Sequence, residues 1–292
     1  MMAAASSRRG AARPRAEAVL SLLQSAPMLP QDYHMHTLFS PDSKAPMEVM
    51  CRAALASGIR EIGFSEHYDL HPLEGTRDWF RPEPWFAELR RCRQVFDERL
   101  VIRAGVEIGE PHLFADEARA LLSAYPFDYA LGSLHWIGSK LIFDPDYFDR
   151  PADEAFREFF VELEHMTSVG GFDILSHFDV PVRIGFGVYG EYDPARYEDV
   201  IRPALRNCLA HGIALDVNAA ALRGKARVLT PGVEILRWYR EMGGERVTLG
   251  SDAHRPDHVG AHLDEALAAI RQAGLTHLTY FEQRRAQLRK IE

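Results

Sequence analysis

The chain has 292 residues, of which 47% are hydrophobic and 26% charged, and it carries a formal net charge of −8. That is ample apolar material for one large core, while the lack of a basic stripe argues against a nucleic-acid partner and no apolar run approaches the ~20 residues of a membrane span. Three cysteines, Cys51, Cys92 and Cys208, are scattered without a Cys-x-x-Cys spacing and read as buried thiols of a reducing, cytoplasmic compartment.

Met1–Arg15 is rich in Ala, Ser and Arg, and Glu17 is the first acidic residue. Residues 1–30 are expected to be a disordered extension; the composition also fits an organellar transit peptide, but the short apolar stretch Val19–Leu23 does not make a secretory signal. Next comes a strand-like run, Asp32-Tyr33-His34-Met35-His36-Thr37. Strand side chains alternate faces, so His34 and His36 point the same way and can offer two imidazoles to one metal ion. His-x-His alone fits a pair of surface histidines equally well. The rest of the chain changes that balance, because ligand-type residues recur at the ends of later apolar runs. The run 59–66 leads to His67, 100–106 to Glu107, 127–134 to His135, 172–176 to His177, and 247–251 to Asp252 and His254. Each run suits a parallel strand buried on both faces. Between them lie helix-like stretches over 46–57, 84–99, 111–124, 152–169, 194–211, 231–242 and 258–273, several opened by proline. With 213–218 added, the count is seven strand–helix units. That alternation predicts a barrel-like α/β domain whose strand C-termini converge on one face.

The set Asp32-x-His34-x-His36-Thr37, Ser40-x-Asp42-Ser43, Ser65-Glu66-His67, Gly105-Val106-Glu107-Ile108-Gly109, Gly132-Ser133-x-His135, Ser176-His177-Phe178-Asp179 and Gly250-Ser251-Asp252-x-His254 closely resembles the PHP (polymerase and histidinol phosphatase) superfamily. The segments Glu107–Glu110, Phe178–Arg183 and Asn218-x-x-x-Leu222-Arg223 point within it to the monofunctional histidinol-phosphate phosphatases. The resemblance spans about residues 31–273 and implies a distorted (β/α)7 barrel of the PHP type, with residues 31–292 as a single domain. It further implies two or three divalent transition-metal ions. His34, His36, Glu107 and Asp252 would hold one, Glu107, His135 and His177 a second, with Glu107 bridging, and Asp42, His67 and His254 a third. The implied activity is hydrolysis of L-histidinol phosphate to L-histidinol and phosphate in histidine biosynthesis.

The donor types agree independently. Imidazoles and carboxylates suit Zn, Mn or Fe, and the lack of thiolates disfavours a structural zinc cage. Phosphate-monoester hydrolysis needs hydroxide at neutral pH, and a metal lowers the pKa of water from about 15.7 to about 7. A metal-bridging hydroxide is therefore the expected nucleophile, with Glu107, Asp252 and His254 as the catalytic set; no Gly-x-Ser-x-Gly motif competes. Arg183 and Arg223 follow strand ends and are the expected phosphate clamps, since a guanidinium fork matches phosphate oxygens. Lys225 and Arg227 are weaker candidates. Glu66 and Asp179 beside ligand histidines are expected to fix imidazole tautomers. His71 is a minor substrate-contact candidate, while His112, His165, His211, His258, His262 and His277 read as ordinary surface or capping residues. Tyr33, Phe39, Trp79, Trp136 and a loop over 185–189 could shape the pocket.

Rival readings are an amidohydrolase, a PHP phosphoesterase acting on nucleotides or oligonucleotide ends, and a non-catalytic metal-stabilised PHP module. An amidohydrolase usually bridges its metals with a modified lysine, and none of Lys44, Lys140, Lys225 and Lys290 ends a strand. The full ligand set argues against the non-catalytic module.

Overall fold

The alternation of apolar runs and amphipathic stretches resolves, in a computed structural model describing residues 29–77 and 79–291, into a curled parallel sheet wrapped by helices. The extension read over 1–30, with its transit-peptide question, lies outside the described residues apart from Leu29 and Pro30. The first half of the chain contributes α1 (Met47–Ala56), β1 (Glu61–Tyr68), α2 (Pro82–Phe96), β2 (Val101–Gly109), α3 (Ala115–Ala124) and β3 (Leu131–Ser133). A small hairpin, β4 (Trp136–Ile137) and β5 (Lys140–Leu141), precedes α4 (Ala152–Val169), β6 (Ile174–Leu175) and α5 (Val182–Tyr189). The remainder is α6 (Glu198–His211), β7 (Ala214–Asn218), α7 (Val233–Glu241), β8 (Val247–Gly250), α8 (Leu263–Gln272) and the hairpin β9 (His277–Glu282) and β10 (Arg285–Lys290).

The main sheet runs β1-β2-β3-β6-β7-β8, with every neighbour parallel. Its two edges meet through the segment carrying His34 and His36. Asp32 bridges Ile62 of β1, and Met35 bridges Ala253 just past β8, both in parallel sense. The Tyr33 N–H donates to the Leu249 carbonyl at 2.8 Å, and the Ser65 N–H donates to the Met35 carbonyl at 2.9 Å. This segment is the seventh stave of a distorted barrel, present as isolated bridges rather than a continuous ladder. Inside, the Tyr33 and Tyr129 rings stack with centroids 5.0 Å apart, so Tyr33 fills the barrel instead of lining a pocket. A Cβ on Gly63 or Gly105 would overlap the Tyr129 ring, which is why those two strand positions carry no side chain.

Several boundaries differ from expectation for local reasons. Helix α3 starts at Ala115 rather than residue 111, because Glu110 takes a left-handed φ of 44° and residues 110–114 make a turn. Helix α8 starts at Leu263 rather than 258, after Gly260 and His262 at φ 72° and 62°. The loop expected over 185–189 is instead the second half of α5, whose two glycines weaken its helical signal. The three cysteines are free and buried, and no described helix is long and apolar enough to cross a membrane.

Candidate metal centre

Register builds the site. His67 on β1 lies beside Glu107 on β2, and β3 and β6 end just before His135 and His177. Five imidazoles converge on the Glu107 carboxylate, which is 1% exposed. Its Oε2 stands 3.4 Å from His34 Nε2, 3.4 Å from His36 Nε2 and 3.1 Å from His67 Nδ1. Its Oε1 lies 3.2 Å from His177 Nε2 and 3.5 Å from His135 Nε2, and accepts a hydrogen bond from Ser133 Oγ at 2.6 Å. Beyond β8, Asp252 Oδ1 sits 3.6 Å from His36 Nε2 and 3.8 Å from His34 Nε2. Asp42 Oδ2 is 2.8 Å from His254 Nε2 and 3.5 Å from His67 Nε2. All nine expected ligands therefore meet at one end of the barrel.

The far sides of these rings show what faces inward. His34 Nδ1 lies 2.9 Å from Asp216 Oδ2, and His135 Nδ1 lies 3.2 Å from Asp69 Oδ1. His36 Nδ1 lies 3.1 Å from Ser40 Oγ, which itself donates to Glu66 Oε2 at 2.8 Å. A carboxylate only accepts, so these contacts place the protons on Nδ1 and leave Nε2 with a lone pair. Lone pairs then face the Glu107 carboxylate, acceptor against acceptor. His34 Nε2, His36 Nε2, His67 Nδ1 and Glu107 Oε2 are all buried without a hydrogen-bond partner. Such a set is costly unless a cation lies among them, and the residues fit a metal centre on that ground.

The electrostatics mark the same place as one that attracts positive charge. Burial works against charge on every group here, yet Glu107 and Asp252 hold His34 well above the ordinary histidine range, and Glu107 and Asp69 take His67 up to about 10. Glu107 and Asp252 are held well below the usual carboxylate range against their own burial, by His34 and His67 for the former and by His34 and His254 for the latter. His36 is driven down by burial and by the neighbouring His254 and His67. The negative field that draws protons onto these imidazoles is the field a cation would occupy. Donor atoms of His34, His36 and Asp252, of His34, Glu107 and His177, of His67, Glu107 and His135, and of His36, His67 and His254 lie within 4.8 Å of one another in each trio. His67 thus leans toward Glu107 as well as toward Asp42, a dual position that the spacing alone does not reveal.

A cleft of about 560 Å³ opens beside these residues, with Arg183, Arg223, Phe143 and Ile184 in its walls. Arg183, in the first turn of α5, has its Nη1 3.7 Å from Asp252 Oδ2 and is 43% exposed at the side chain. Arg223 donates from Nη1 to the Ser251 carbonyl at 2.6 Å and from Nη2 to the Asp252 carbonyl at 3.0 Å, so part of its fork braces the loop carrying Asp252. Asp252 itself takes a left-handed φ of 51°, a strained conformation of the kind that collects at functional sites. His258 also lines the cleft, beyond the role expected of it, while His71 stacks on Trp136 with centroids 4.6 Å apart. Phe39 and Trp79 line a separate groove with Leu38.

Two expectations about supporting acceptors change. Glu66 touches no ligand ring and acts through Ser40. Asp179 bonds no histidine; its Oδ1 is buried without a partner, and burial pushes its carboxyl up to about 7. Asp216 and Asp69 do that work directly. A signal for Asp216 was present in the sequence, a lone acid inside the apolar run of β7.

The chain has relatives among known proteins. A histidinol-phosphatase of Lactococcus lactis is 26% identical over 253 residues, covering 86% of this chain and 93% of its own. A probable histidinol-phosphatase of Clostridium acetobutylicum is 30% identical over 256 residues, covering 87% of this chain and 97% of its own. The crystal structure of the Lactococcus lactis histidinol phosphate phosphatase with zinc, L-histidinol and phosphate superposes with a TM-score of 0.80 at 24% identity, covering 89% of this chain and 100% of that one. The PHP domain family model matches residues 32–220, from the segment carrying His34 and His36 to the turn after β7. On the extent of that match, the chain belongs to the PHP domain family.

Proposed function

We propose that this chain is a metal-dependent phosphomonoesterase that hydrolyses L-histidinol phosphate to L-histidinol and phosphate. The observation that carries the reading is the Glu107 carboxylate encircled by five imidazole nitrogens beside a cleft walled by two arginines. The names of the relatives, similar over 86% and 87% of this chain, supply the substrate class.

His34, His36, Glu107 and Asp252 are suited to one ion, Glu107, His135 and His177 to a second, and Asp42, His67 and His254 to a third, with zinc, manganese or iron as the fitting metals. Divalent ions bound there would make hydroxide available at neutral pH and offset charge on the phosphoryl oxygens. The chain's own groups do the rest. Asp216, Asp69 and Ser40 hold the imidazoles in the tautomer that presents Nε2. Arg183 keeps a half-exposed guanidinium for phosphate oxygens, and Arg223 turns its remaining N–H groups to the same cleft while bracing Asp252. Phe143 and Ile184 limit water around the ester. A small-molecule substrate in a cytoplasmic, biosynthetic setting, with no nucleic-acid partner, completes the proposal.

The test is phosphate release by the purified, metal-loaded chain from histidinol phosphate, nucleoside monophosphates, short oligonucleotides and sugar phosphates, with and without a chelator. Chelator-sensitive preference for histidinol phosphate is expected. Preference for a nucleotide or oligonucleotide end would overturn the substrate, and no hydrolysis of any ester by metal-replete protein would overturn the enzyme.

A further inference from the structure

His112 and His165, ordinary residues by sequence, meet around Glu162. Glu162 and His165 are three residues apart on α4 and so share one face, while His112 lies in the turn between β2 and α3. Glu162 Oε1 stands 2.7 Å from His112 Nε2 and 3.7 Å from His165 Nδ1. The two rings meet edge-on with centroids 5.1 Å apart, and one donor atom from each of the three residues lies within 4.8 Å of the others.

We propose that His112, Glu162 and His165 form a second divalent-cation site of the zinc class on the outside of the barrel, sharing no residue with the cluster around Glu107. Two imidazoles and one carboxylate are a zinc-type donor set, and a tetrahedral ion with bonds of about 2.0–2.2 Å spaces its ligands about 3.3–3.5 Å apart. The distances of 2.7 and 3.7 Å straddle that spacing, so both contacts approach it if the Glu162 carboxylate shifts away from His112 and toward His165. The His112 side chain is wholly buried, which fixes one donor without loss of side-chain freedom on binding. His165 is 58% exposed, so the fourth coordination position opens to water. An ion here would pin the 110–114 turn to α4. In that turn Glu110 Oε1 already accepts the backbone N–H groups of His135 and Trp136 at 2.6 and 2.9 Å, so the wall of the cleft is held without the ion and the clasp would add stability rather than activity.

The experiment is zinc stoichiometry by equilibrium dialysis and elemental analysis on the full chain, comparing wild type with His165→Ala and Glu162→Gln, alongside phosphatase activity and thermal melting. Each variant should hold one zinc fewer per chain at the same free zinc, with activity unchanged. Zinc added beyond the central ions should raise Tm in wild type only. Equal zinc counts in all three proteins would overturn the site. Loss of more than one ion together with activity would overturn it too, because the ion would then belong to the Glu107 cluster.

Discussion

Replacing Asp216 by Asn keeps the shape of a buried side chain while removing the charge that fixes His34. Asp216 sits mid-strand in β7 and is fully buried, and Gly250 on β8 leaves it just enough room, since a Cβ there would overlap Asp216 Oδ1. Its bond to His34 Nδ1 is 2.9 Å long. A hydrogen bond to a charged group is worth roughly 1.5–3 kcal/mol, against about 0.5–1.5 for a neutral one, so the change removes about 1–1.5 kcal/mol of orientation and basicity at His34. At 1.36 kcal/mol per factor of ten, metal affinity should fall about tenfold, and about a hundredfold in Asp216→Ala, within the range seen when outer-shell partners of metal ligands are changed. Competition with a chromophoric chelator measures this without reference to turnover. Asp179→Asn is the matched control: it is as deeply buried and adjacent to His177, but it bonds no candidate ligand. Unchanged affinity in Asp216→Asn, or an equal loss in Asp179→Asn, would refute the reasoning.

Glu107→Gln should lower activity about a hundredfold or more, since removing one member of a buried charged cluster costs about 3–5 kcal/mol, whereas Glu110→Gln should be mild because the amide oxygen can still accept the N–H groups of His135 and Trp136; steady-state kinetics on histidinol phosphate compare the two. Arg183→Ala should cost about tenfold to a hundredfold in kcat/KM at constant metal content, with Arg183→Lys recovering only part. Arg223→Ala should lose activity and also Tm and metal, because two carbonyls of the Asp252 loop lose their donor; a normal melt and full metal would restrict Arg223 to substrate. Gly105→Ala should lower Tm by several degrees, since overpacking against Tyr129 costs about 1–3 kcal/mol, and an unchanged melt would contradict the packing.

The convergence of the candidate ligands was legible because a buried parallel strand leaves its mark as an apolar run, and the side chain just past each run is forced onto one face. His135, His177 and Asp252 needed only that rule. Supporting residues were harder to place. Ser40, Asp69 and Asp216 act across separations of 4, 66 and 182 residues, and no local pattern ties Asp216 to His34. Proximity along the chain misdirected the reading of Asp179, whose carboxyl Oδ1 is buried without a partner. Helix α5 escaped notice because Gly185 and Gly187 dilute its pattern, although it presents Arg183 to the cleft. The terminal hairpin β9–β10 lies beyond the strand–helix repeat, and Leu278 and Phe281 on it are buried.

The seam at residues 31–36 also has a consequence for biosynthesis. Met35 pairs with Ala253, and His36 takes its backbone partner from the same residue. Translation delivers His34 and His36 about 200 residues before Asp252 and His254, so this stave has no second neighbour until β8 has emerged. Loop closure over that separation is paid once, at the end of folding. A chain made as far as β2 can place His67 beside Glu107, but the ring of candidate ligands closes only once β8 has joined the sheet. Any metal loading therefore waits on β8, and a truncated product lacking it would carry the His-x-His motif without the donors of Asp252 and His254.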